Sequence, residues 1–209
     1  MLRKASEVVS EKIPEARLYK NLAVFVNWNY SWGMATYHLN ASVVSRSRGA
    51  GSAVAAAAYR HNSKMKAEYN GDTYNYESKG DLVHAEITLP EDTPAWAEEA
   101  YGLSADVGVL GEGVDPTKAG FEAVANASSA LWNDIELHEA RTNKHHARAQ
   151  LARKFTLSLP LELSREEQVE LARSFVTDSF ANRGMVADWV LHDPKGKTQE
   201  NPHVHVMVA

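Results

Sequence analysis

The sequence predicts an α+β protein, with a five-stranded, mainly antiparallel sheet and helices packed on one face. Three observations carry this reading. Five short segments alternate apolar and polar side chains, the period of a half-buried strand. Helix signals lie between them: a serine ahead of an alanine run, and a capping box. Strands with one apolar and one polar face, with helices between them, suit an antiparallel sheet whose apolar face is covered by helices.

Taken in order, Tyr37 to Val44 is the first strand, with Tyr37, Leu39, Ala41 and Val43 apolar and His38, Asn40 and Ser42 polar. The turn SRSRGAG follows, and Ser52 is placed to cap a helix through Ala55–Ala58 and Tyr59 to about Tyr69, where NGD breaks it. Val83 to Leu89 alternates again, and Pro90 ends it. The stretch of about 91–130 is rich in Ala, Gly and acids, and Pro94, Gly111, Gly113 and Pro116 interrupt it; it reads as an acidic surface insertion with short helices. A helix is predicted from about Ser128 to Ala149, and KFTLSLP is the third strand. Ser164 with Glu167 forms a capping box that opens a helix closed by Gly184. Met185 to His192 and Pro202 to Val208 complete the strands. Residues 1–33 have a mixed pattern and read as an N-terminal extension to a domain spanning 34–209.

The polar face so predicted would gather His38, Asn40, His84, Glu86, Thr156, Ser158, Asp188, His192, His203 and His205. Solvent-facing sheets normally carry Lys, Thr and Glu, so five histidines here call for an explanation. His203 and His205 alternate with valines and project from one side of a strand. If that strand and the previous one form a hairpin across DPKGKTQENP, His192 lies opposite His203, with Cβ atoms about 4.5–5.5 Å apart. Three converging imidazoles suit a divalent metal with positions left open for water or substrate. The expected ion is Mn²⁺ or Mg²⁺, although magnesium favours oxygen ligands; Zn²⁺ is also admitted on ligand grounds.

Composition restricts the alternatives. The chain has 209 residues and no cysteine, which excludes disulfides and thiolate metal sites. No apolar run approaches a membrane span, and Leu22–Val26 is too short for a signal-peptide core. The net charge of −5 hides a segregation: residues 91–130 hold eight acids and one base, which leaves +2 on the remainder. Arg141 to Lys154 holds five bases and no acid, a stretch suited to phosphates.

The segments ATYHLNASVVSRSRGAGSAVAAAAYR, HAEITLP, LWNDIELHEAR, FTLSLPLELS, GMVADWVLHD and NPHVHVM occur in an order that resembles the MobA/MobL relaxases, most of all their TraA-like conjugal transfer members. The resemblance covers Met34 to Ala209 apart from the acidic segment. It implies the fold of the HUH tyrosine endonucleases. It also implies nicking and rejoining of one strand of plasmid DNA at a transfer origin, through a 5′-phosphotyrosine. By position Tyr59 matches the family's nucleophile, and His192, His203 and His205 its metal ligands. Glu86, on the predicted polar face, is the candidate base or the group that orients a ligand histidine. Arg46, Arg48, Arg141, Lys144 and Arg148 are expected to hold the DNA backbone. The expected partners are single-stranded or extruded DNA and other transfer proteins, in a bacterial cytoplasm. The family continues past its last histidine, so the chain is expected to be a fragment. Other readings are a rolling-circle replication initiator or transposase of the same class, or a DNA-binding module without catalysis.

Overall fold

The alternating segments pair as one sheet of six strands, five of them the predicted ones. The computed structural model describes residues 38–46, 51–77, 81–106, 116–194 and 202–209. The predicted extension and Arg48 lie outside the described residues. The strands are β1 (Leu39–Ser45), β4 (Leu82–Thr88), β5 (Ser104–Asp106), β6 (Gln150–Ser158), β7 (Ala187–His192) and β8 (His203–Val208), in the order β1-β6-β8-β7-β4-β5. Every neighbouring pair is antiparallel. A separate ribbon joins β2 (Lys64–Lys66) to β3 (Thr73–Asn75). The helices are α1 (Ala53–Arg60), α2 (Ala95–Tyr101), α3 (Pro116–Thr142) and α4 (Arg165–Ser179).

Several local signals act as the sequence predicts. Ser52 caps α1, its hydroxyl accepting from the Ala55 amide at 3.1 Å. Ser164 and Glu167 form the capping box of α4. Gly184 takes the left-handed conformation, φ 78°, after a turn of 3-10 helix.

Helix α1 is shorter than predicted. It stops at Arg60 because Asn62 adopts φ 49°, a left-handed conformation that asparagine tolerates and a helix cannot continue through. The chain then forms the β2–β3 ribbon, and the NGD expected to break the helix is instead the tip of that ribbon, with Gly71 at φ 79°. The acidic segment is also more than a surface insertion. It supplies the edge strand β5, and α3 begins within it and buries Val124, Ala125 and Ala127 in the core.

The prediction of helices on one face needs correction, because helices cover both. On one side α1 and α3 pack Val54, Ala57, Val124 and Trp132 over Ala85, Ile87, Val190 and Met207. On the other, α4 packs Val169, Ala172, Val176 and Phe180 over Leu157, Trp189, Leu191, Val204 and Val206. Strand β7 lies in the middle and all six of its residues are buried. The small side chains of α1 allow its close seat: Ala53, Val54, Ala57 and Ala58 are fully buried.

Candidate functional site

The register of β7 and β8 sets the centre. His192 pairs directly with His203, and Val190 with His205, so the three imidazoles stand on the side of the sheet that α1 and α3 cover. Their ring centroids are 5.7 Å (His192–His203), 5.5 Å (His192–His205) and 4.9 Å (His203–His205) apart. Ligand nitrogens lie about 2.0–2.1 Å from a zinc ion, which puts rings sharing one ion at centroid separations of about 4.5–5.2 Å. The cluster is close to that spacing. Its nitrogens do not converge on a single point, for among the described residues no group of three or more His, Cys, Asp or Glu stands in ligating geometry.

Two of the rings are held from behind. His192 Nδ1 is 3.0 Å from Asp81 Oδ1, and His205 Nδ1 is 3.0 Å from the Thr156 hydroxyl. Partners on Nδ1 fix the ring and assign Nε2 to a metal, the usual division of labour in histidine metal sites. Burial pushes the His192 imidazole below its ordinary range, and the neighbouring His203 adds to this against the pull of Asp81, so the ring is neutral and able to ligate at neutral pH. Burial works against the charge of Asp81, but hydrogen bonds with Asn62 and His192 outweigh it and hold this carboxyl below its usual range.

Asp81 thus occupies the position expected of Glu86. Glu86 pairs with Trp189 and so faces α4, on the opposite side of the sheet from the imidazoles. There it accepts hydrogen bonds from Arg173 at 2.8 and 3.0 Å and lies 3.2 Å from His84 Nε2. Burial opposes its ionisation, while His84 and Arg173 more than offset that and keep it a carboxylate. His84 is itself buried against the ring of Trp189. The pair fastens α4 to β4, and neither side chain reaches the imidazole cluster.

Tyr59 lies on the imidazole side, in the last turn of α1. Its side chain is 46% exposed, and its ring meets Tyr76 edge-on at 5.4 Å. The next residue adjoins the cluster, its main chain lying against the His192 imidazole. His61 then binds the buried Asp188 through Nε2 at 2.8 Å. Asp188 also accepts from the Ser128 hydroxyl at 2.6 Å and the Trp132 indole at 2.7 Å. Burial would raise the Asp188 carboxyl, but these donors, His61 foremost, hold it below its ordinary range.

The other end of α1 has its own anchor. Glu136 is 1% exposed, and its Oε1 accepts from the Ser52 hydroxyl at 2.8 Å and from the Ala53 and Val54 amides. A carboxylate here answers both the unpaired first-turn amides and the positive end of the helix dipole. Ser128, Trp132 and Glu136 recur every four residues and form one stripe of α3. That stripe holds α1 at both ends, directly through Glu136 and, at the other end, through Asp188 and His61. Sequence reasoning misses the stripe as a functional element, and with it His61, Asn62, Asp81 and the role of Asp188. The period-four run of a hydroxyl, an indole and an acid beside apolar residues is the signal that could have found the stripe.

The predicted basic contacts divide. The Arg46 guanidinium stacks on Tyr69 at 3.7 Å, lies 3.8 Å from Glu136 Oε2 and donates to the Glu136 carbonyl, so it locks the α1–α3 junction and is not free for a phosphate. Arg141, Lys144 and Arg148 are exposed as expected. They precede Gln150, six strand residues before the Thr156 that bonds His205, which sets that end of β6 about 20 Å from the imidazoles at ~3.4 Å per residue. They are not part of that cluster.

An antiparallel α+β sheet with three clustered imidazoles on its middle strands, and an exposed tyrosine on a short helix beside them, defines the class. The chain belongs to the MobA/MobL family, whose model matches residues 51–209. It is 42% identical to the conjugal transfer protein TraA of Rhizobium radiobacter over 176 residues, which is 84% of this chain and 14% of that protein. It is 32% identical to the mobilization protein MobL of Acidithiobacillus ferridurans, covering 82% of this chain and 36% of the relative. A solved structure titled for the molecular basis of vancomycin resistance transfer in Staphylococcus aureus shares the fold, with TM-score 0.60 and 24% identity, over 84% of this chain and 70% of that one. This chain therefore spans a small part of the length of its curated relatives. Among the described residues, no helix is long and apolar enough to cross a membrane.

Proposed function

We propose that this chain is a relaxase domain that nicks and rejoins one DNA strand at a transfer origin through a covalent bond to Tyr59. The observation that carries this reading is the gathering of His192, His203 and His205 beside the end of α1, where the Arg60 main chain next to Tyr59 lies against the His192 imidazole. Membership of a family with conjugal transfer and mobilization proteins supports the DNA substrate.

The donor set of three imidazoles, two with Nδ1 engaged from behind, fits a divalent cation. Bound there, such an ion would polarise the non-bridging oxygens of a phosphodiester and take up charge in the transition state. The Tyr59 phenol oxygen attacks phosphorus and the bond to the 3′ oxygen breaks. The phenol proton leaves to solvent or a base, and the departing 3′ oxygen takes up a proton. The 5′-phosphotyrosine retains a phosphodiester, so the reverse attack by the 3′-hydroxyl rejoins the strand without an added energy source. Asp81 keeps His192 oriented throughout. A phenol must lose its proton to attack, and the exposure of Tyr59 leaves its hydroxyl open to incoming substrate and solvent.

The test is to incubate the protein with single-stranded oligonucleotides and Mn²⁺ and seek a nucleotide adduct on Tyr59 by mass spectrometry. Tyr59→Phe is expected to abolish the adduct and to leave DNA binding intact. An undiminished adduct in Tyr59→Phe overturns the assignment.

A further inference from the structure

The half of the sheet that, among the described residues, the helices leave uncovered carries a second pattern. On the imidazole side, Asn40 of β1 pairs with Thr156 of β6, and Thr156 pairs with His205 of β8. One row further along, Ser42 pairs with Lys154; one row the other way, Ser158 pairs with His203. Asn40 and Ser42 are exposed, and Lys154, Thr156 and Ser158 are half-buried. The result is a continuous patch of amide, hydroxyl and ammonium groups running from the edge strand to the imidazoles. None of its residues is an acid, in a chain of net charge −5. Lys154 has no carboxylate within ion-pair distance among the described residues.

The opposite side of the same strands is different in kind. There Leu39, Ala41 and Val43 sit beside Phe155 and Leu157, with Arg153 exposed at the end. Polarity thus alternates residue by residue, and only one side leads to the imidazoles.

From this geometry we infer that the open patch of Asn40, Ser42, Lys154, Thr156 and Ser158 is the surface that holds single-stranded DNA as it enters the imidazole site. The inference rests on the nicking function proposed above and adds the path of the strand. Lys154 to Ser158 spans about 14 Å at ~3.4 Å per strand residue. That is room for about four nucleotides at the ~3.4 Å spacing of a stacked strand. Lys154 neutralises a phosphate. Asn40, Ser42 and Ser158 can each donate and accept, which suits base edges and sugar–phosphate oxygens alike. Thr156 has its hydroxyl on His205, so the row from Asn40 ends on a candidate ligand and aligns the strand with the reacting centre.

Adjacent residues on opposite sides of one strand provide the test. Binding of a fluorescein-labelled, random-sequence single-stranded oligonucleotide is followed by anisotropy in EDTA, so that no nicking intervenes. Lys154→Glu and Ser42→Glu are compared with Arg153→Glu and Val43→Glu, which make like charge changes on the other side, and circular dichroism checks that all four fold. The patch variants are expected to weaken binding by about tenfold or more, and the controls by less than about threefold. Lys154→Ala should also reduce the slope of log K against log salt by about 0.7, the value for one phosphate contact on a single strand. Equal losses on both sides, or no loss from Lys154→Glu while wild type still forms the Tyr59 adduct, overturn the surface and leave the nicking assignment standing. A wild-type protein that neither binds DNA nor forms the adduct overturns both.

Discussion

Asp188 and Glu86 stand on neighbouring strands, each buried, each held ionised by donors, and they face opposite ways. Asp188 gathers His61, Ser128 and Trp132, and so ties the tyrosine-bearing helix to the sheet beside the imidazoles. Glu86 gathers Arg173 and His84 and ties down α4. The two carboxylates do the same mechanical job for different helices, and only one of those helices adjoins the candidate site. Resemblance of residue type and burial does not carry a role across a sheet; the register of pairing decides it.

The sharpest way to break the comparison is to remove each carboxylate. Asp188→Ala leaves an imidazole, a hydroxyl and an indole without their acceptor in a dry interior, and should cost about 3–5 kcal/mol of stability by denaturant unfolding. It should also lower adduct formation beyond what the lost stability explains, because α1 loses its tether. Asp81→Ala is expected to weaken Mn²⁺ binding about 10–100-fold by calorimetry, since His192 loses its orienting partner. Glu86→Gln should leave Mn²⁺ affinity unchanged within about twofold. Its cost is to stability alone, about 1 kcal/mol, because Arg173 is partly exposed and the pair is screened. A Glu86→Gln variant that loses metal as Asp81→Ala does would return Glu86 to the site.

Acid should act on the three carboxylates together. Asp188, Glu86 and Asp81 all lie below their ordinary values, so the folded state binds fewer protons than the unfolded chain. Their stabilisation is complete above the unfolded values of about 4 and drains as pH falls through the lower native ones. Thermal midpoints measured from pH 7 to 2 should hold steady and then fall below about pH 4, with the fall reduced in Asp188→Asn. The smallest effect belongs to Tyr101, whose hydroxyl bonds Asp134 and is pushed up to about 12 by that bond and by burial. Tyr101→Phe should cost no more than about 1 kcal/mol and leave nicking unaltered.

The sequence made much of this legible, for identifiable reasons. Alternation located five strands, and a short link between the last two set His192 opposite His203. Ser52, Ser164 and Gly184 announced helix ends through local chemistry. What failed was the choice of side for Glu86. Its strand alternates correctly, but with helices on both faces Ala85 and Ile87 can be buried on the imidazole side while His84 and Glu86 are buried on the other. An apolar stripe identifies a core-facing side only when the other side meets water. The donors on Asp188 were out of reach for another reason: His61, Ser128 and Trp132 are distant in sequence and meet only once β7 is in the middle of the sheet.

The stripe on α3 has a consequence for how this protein can vary. Glu136 and Ser128 lie eight residues apart, and Ala53 and His61, held by Glu136 directly and by Ser128 through Asp188, are also eight residues apart, so both spans are about 12 Å of helix. Helix α3 works as a measuring stick cut to the length of α1. Inserting a single residue between 128 and 136 would turn one anchor about 100° away from its mark, so this stretch should tolerate exchanges of side chain but no change of length.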